Sequence, residues 1–110
     1  MFTPEELRKF LKLAEWKYVT DDLEICEGPC YLLDVSLQGE AQAAGIAIIY
    51  DGLNASAGVF GQASVIAGST VGQSYVWPPY FKKGIYVALD AGVHSMTVHF
   101  VREDVLETSI

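Results

Sequence analysis

The sequence predicts a mainly β protein, an antiparallel β-sandwich of jelly-roll-like type led by a short N-terminal amphipathic helix. Three observations predict it. Glycine-bounded runs of about five to eight residues follow one another from Lys17 onward, no long helical period survives in that region, and helix-start signals cluster at the N-terminus.

The helix is the first element. Thr3 stands as N-cap, Pro4 at the first helical position and Glu6 where it completes a capping box, with Phe2 and Leu7 spaced as a hydrophobic staple. Leu7, Phe10, Leu11 and Ala14 follow the i, i+3, i+4, i+7 spacing, so a helix from Pro4 to about Trp16 is expected. A segment this short is marginal alone. Its stripe, Leu7 and Phe10 foremost, has to dock on the sheet or on a neighbouring subunit.

The strands come next. Tyr31, Leu33, Val35 and Leu37 alternate with Leu32, Asp34, Ser36 and Gln38, which predicts one inward and one largely wet face. Ile46 to Tyr50 is apolar on both faces and reads as a central strand, closed by the turn Asp51-Gly52. Further strands are expected around Ala63 to Ala67, Gln73 to Trp77, Gly84 to Leu89 and His94 to Arg102, the last with Met96, Val98 and Phe100 inward and Ser95, Thr97 and His99 outward. Asp90-Ala91-Gly92 forms the last turn, and His94 is assigned to it. Pro78-Pro79 must lie at a strand end or edge. The chain thus divides into a helix and connector (1–20), a sandwich domain (21–102) and a frayed acidic tail (103–110).

Charge narrows the function classes. A net charge of −7 argues against free nucleic-acid binding and against an anionic membrane surface, because both need a basic footprint. No run of apolar residues is long enough for a membrane helix, and the first residues lack a signal-peptide pattern, so a soluble, non-exported product is expected. Cys26 and Cys30 flank a tight turn; a bridge there closes a very short loop and adds little, so two reduced, partly buried thiols are expected.

Candidate chemistry is sparse. The serines lack a nucleophile elbow, and His94 and His99 fall on opposite faces of one strand, so neither a triad nor a metal set assembles. Asp21, Asp22, Glu24 and Glu27 match no calcium-loop spacing and read as a solvated edge. No catalytic residue, cofactor or metal is assigned, and no enzyme is expected. The most distinctive local feature is Tyr75, Trp77, Tyr80 and Phe81 around the two prolines, a platform able to anchor a protein partner or stack a sugar ring. It ends a tract of 29 residues, Leu53 to Phe81, with no charged side chain, and no Lys or Arg occurs between Lys17 and Lys82. Charge depletion beside aromatics is the composition of an interface core.

Ile46-Ala47-Ile48-Ile49-Tyr50-Asp51-Gly52, Pro78-Pro79-Tyr80-Phe81-Lys82-Lys83-Gly84-Ile85-Tyr86-Val87-Ala88-Leu89 and Met96-Thr97-Val98-His99-Phe100 together resemble the small β-sandwich virion proteins of tailed bacteriophages that decorate or cement the head shell. The resemblance covers roughly half the chain and leaves out the N-terminal helix. It implies a non-enzymatic structural protein of the virion, present in the host cytoplasm during assembly, with a major capsid protein and other copies of itself as partners. A carbohydrate-binding module using Trp77 and Tyr80 is the alternative.

Overall fold

The computed structural model describes residues 3–75 and 78–104, without the side chains of residues 6, 7, 9, 10 and 11. A helix, α1, spans Pro4–Leu13. Nine strands follow among the described residues: β1 Glu15–Val19, β2 Leu23–Glu27, β3 Cys30–Gly39, β4 Gly45–Asp51, β5 Gly58–Val65, β6 Thr70–Ser74, β7 Tyr80–Phe81, β8 Gly84–Leu89 and β9 Val93–Arg102.

They form two antiparallel sheets. One has the order β1-β9-β3-β6, with β7 also paired to β3; the other has the order β2-β8-β4-β5. Consecutive strands mostly alternate between the sheets, and chain-distant β1 and β9 lie side by side. With two-residue β7 set aside, this is the wrapped order of a jelly roll. The core lies between the sheets, where Leu32, Leu37, Ile49, Ile85, Met96 and Val98 are almost completely buried. Along β9 Met96, Val98 and Phe100 are buried as expected and Thr97 and His99 are half-exposed between them, but Ser95, expected outward, is buried, as is Val101; β4 lies inside its sheet between β8 and β5.

Several expectations are corrected. The helix stops at Leu13 and Trp16 belongs to β1, where Glu15–Val19 pair in register with β9 from Phe100 to Met96. A β-prone run of Trp, Tyr and Val gains a full ladder there, which three more helical residues would forfeit. The sandwich therefore begins at Glu15, inside the segment assigned to helix and connector. How α1 docks through Leu7 and Phe10 lies outside the described residues.

In β3 the expected inward set holds at Val35 and Leu37 but not before them. A register shift between Leu32 and Asp34, opposite Phe100 and His99, marks a bulge. One extra residue reverses the alternation, so Leu32 is buried and Tyr31 and Leu33 are only half-buried. His94 is the second residue of β9 rather than part of the turn; Val93 N–H donates to Asp90 C=O and closes the turn earlier. Pro78 and Pro79 directly precede β7, and the Pro79 carbonyl accepts from Leu32 N–H at 3.1 Å. Cys26 and Cys30 are free and buried.

Candidate functional site

The longer strands of the uncharged tract lie along one side of the sandwich. Its strands β5 and β6 are the terminal strands of the two sheets, and between them opens a slot of about 350 Å³. Val35 and Leu37 form its apolar floor, with Ala63, Gln62, Val71 and Gln73 along its walls. The turn that carries the chain from β5 across to β6 in the other sheet is pinned by Ser69 N–H to Ile66 C=O (3.2 Å) and by Gly68 N–H to Glu40 C=O (2.8 Å). On this side Val59 is 64% exposed and Ile66 70%. Natural edges usually carry Lys, Glu or Pro to discourage pairing, and β5 and β6 carry none.

The four aromatic candidates separate. Phe81 is fully buried, which removes it from any interface: β7 pairs with β3 so that Phe81 faces Cys30 on the inner side while Tyr80 faces outward. Tyr75 is half-buried, with its ring edge-on to Phe60 at 6.0 Å, and it closes one end of the core. Tyr80 is exposed but engaged, its ring 5.1 Å from that of Tyr31 and its hydroxyl donating to Glu103 Oε2 at 2.6 Å. That bond to a carboxylate pushes its phenol up to about 12. Trp77 lies outside the described residues.

Sequence reasoning missed a second aromatic pair. Trp16 and Tyr18 are 65% and 55% exposed, two residues apart on the outer face of β1. Across the sheet they continue into two rows, Trp16–His99–Asp34–Ser74 and Tyr18–Thr97–Ser36–Gly72. His99 Nδ1 and Asp34 Oδ1 are 2.5 Å apart in the first row. The period-2 alternation of Glu15, Trp16, Lys17, Tyr18 and Val19 carried the signal, but the helical spacing before it masked it.

Several of the remaining charges have structural work. Asp51 accepts from Lys83 N–H (3.0 Å), Asp22 accepts from Leu89 N–H (2.8 Å), and Glu15 takes two hydrogen bonds from Arg102 (2.7 and 3.2 Å). Among the described residues no group of three or more His, Cys, Asp or Glu side chains is placed to hold a metal. A hydrogen bond from Cys30 holds the Cys26 thiol below its ordinary range, and the same bond, with burial, pushes Cys30 up.

Fold and surface together define a small two-sheet β protein with one uncharged side. No protein-family model and no curated protein matches the chain. Among solved structures it is similar to PirA, at 15% identity over 80% of this chain and 84% of that one, with a TM-score of 0.42. It is also similar to a protein of the Bacillus endospore appendages, a family of disulfide-linked pili, at 10% identity over 82% and 89% of the two chains, TM-score 0.42. Likeness at this level says nothing of what this chain does.

Proposed function

We propose that this chain is a non-enzymatic structural protein that works by association, with copies of itself and, as a decorating or cementing subunit, with the head shell of a tailed bacteriophage. One observation carries the proposal. On a chain of net charge −7, the tract Leu53 to Phe81 carries no charge at all, and its strands β5 and β6 lie on the same side of the two sheets. Solvent-facing surfaces normally scatter Lys, Glu and Asp, whereas the centre of an interface excludes them. The resemblance of the Ile46–Phe100 segments to head-decorating virion proteins favours a capsid as the larger partner. On this reading the protein resides on the virion, and in the host cytoplasm during assembly, and needs no cofactor. Incubation with purified phage heads, followed by sedimentation and electron microscopy, tests it. Regular density added to the shell supports decoration, and a chain that stays in the supernatant counts against it.

Trp16 and Tyr18 favour a second reading, a carbohydrate-binding module. Two ring faces beside the hydrogen-bonding groups of His99, Asp34 and Thr97 suit a sugar, whose C–H faces stack and whose hydroxyls bond. Retardation in polysaccharide affinity gels that is lost on Trp16→Ala would favour this reading over assembly.

A further inference from the structure

Two strands border the uncharged side, and they differ as edges. β5 carries a register shift opposite Ile49 and Tyr50, and Phe60 on it turns its ring onto Phe81 at 4.7 Å. A bulge of this kind bends an edge away from further pairing. β6 has no such device. Its five residues, Thr70-Val71-Gly72-Gln73-Ser74, pair with β3 in unbroken register from Gln38 to Asp34, and all five are exposed.

The hydrogen bonds at the two ends of that ladder fix which backbone groups face outward. Tyr75 N–H donates to Leu33 C=O (3.0 Å), and Gly39 N–H donates to Ser69 C=O (2.9 Å). In an antiparallel ladder this makes Asp34–Ser74 and Gln38–Thr70 non-hydrogen-bonded pairs, and the alternation assigns Ser36–Gly72 to the same class. Val71 and Gln73 therefore spend their backbone groups on β3. Thr70, Gly72 and Ser74 turn their N–H and C=O groups to the open edge.

We infer that β6 pairs antiparallel with β6 of a second copy, about a two-fold axis at Gly72, so that the β1-β9-β3-β6 sheets of the two copies become one. Pairing of this kind rests on the self-association proposed above and names its contact. A row of outward donors and acceptors calls for an extended strand as occupant. The row is self-complementary: with Gly72 on the axis, Thr70 faces Ser74 of the second copy, and each outward residue donates once and accepts once. Charge permits a like copy at this strand. Two chains of net charge −7 repel over most approaches, but along this strand no charged side chain meets another.

Gly72 also supplies the test. Its N–H is not spent on β3, its φ is not positive, and a Cβ there meets nothing closer than the Val35 carbonyl oxygen at 3.8 Å. Gly72→Pro removes an outward donor as edge strands tolerate, and Gly72→Lys brings two like charges face to face across the axis. The full-length chain and both variants are compared by light scattering across the micromolar range, with circular dichroism as the check on folding. Folded variants whose mass falls to that of one chain, or whose association weakens more than about tenfold, support β6 pairing, as does slower amide exchange of Thr70, Gly72 and Ser74 at high concentration. Folded variants that keep the wild-type mass overturn β6 pairing and leave self-association standing. A wild-type chain that is monomeric throughout overturns both. Should Gly72→Pro fail to fold, Gly72→Lys and the amide exchange decide.

Discussion

Phe60 on β5 and Phe81 on β7 meet with ring centroids 4.7 Å apart and planes tilted by 47°, tying the edge of one sheet to the end of the other. The contact explains why a tract without charge still holds its shape: one of its aromatics is core, and another leans on it. Phe81→Ala is expected to cost about 3–5 kcal/mol in chemical denaturation, as for a fully buried ring. Phe60, 40% exposed, is expected to cost clearly less when truncated. Equal and small losses at both positions would show that Phe81 does not anchor the core.

Gly92 and Ala44 define a second contact that admits no side chain. A Cβ on Gly92 would lie 1.7 Å from the Ala44 carbonyl oxygen, so the backbones of the last turn and of the entry to β4 touch directly. Gly92→Ala has to push main chain aside. A loss of at least about 2 kcal/mol in a thermal or denaturant melt is expected, against a near-neutral result for Gly58→Ala, where a Cβ meets nothing within 4 Å.

The Tyr80–Glu103 hydrogen bond makes a prediction in pH. Folding raises the Tyr80 phenol from about 10 to about 12 because its proton is held by the Glu103 carboxylate. A pKa raised on folding contributes stability in full below the unfolded value and loses it as pH rises through the folded one. Tyrosinate absorbance, with Tyr80→Phe subtracted, should place this group above the ordinary phenol value, and Glu103→Gln should bring it down. A Tyr80 that ionises at the ordinary value in the wild type contradicts the bond.

Cys26 and Cys30 are shifted in opposite directions, and that has a chemical signature. Cys26 is held below and Cys30 above the ordinary thiol range by the hydrogen bond between them. Cys26 also borders a surface hollow with Lys17 and Arg102. Alkylation followed by peptide mass spectrometry should label Cys26 first. Replacing both by Ala under reducing conditions should leave the fold intact at about 1–2 kcal/mol per trimmed thiol; a preference for Cys30, or collapse of the fold, would contradict the arrangement.

The strands were legible where apolar and polar residues alternate. Met96, Val98 and Phe100 alternate cleanly, so β9 could be read from its period, and Asp90-Ala91-Gly92 announced its turn. Leu32 and Leu33 were not legible, because a bulge is a property of pairing with β9 and leaves no mark in β3 alone. Trp16 was lost for a related reason: helical spacing runs into a strand without punctuation, and only the partner strand ends the helix. The uncharged tract was plain in the sequence, but the placing of its strands β5 and β6 along one side of the sandwich needed the sheet order. The aromatic cluster misled, since Phe81 sits beside exposed Tyr80 in sequence and opposite it across the sheet.

Association through the uncharged β5–β6 side is the central claim, and the mass of the full-length chain in solution addresses it most directly. Sedimentation equilibrium across the micromolar range should return a multiple of 12.0 kDa that Val59→Lys and Gly72→Lys together reduce to a single chain. A wild-type species of 12.0 kDa at every concentration, in a preparation that also leaves phage heads undecorated, would contradict it.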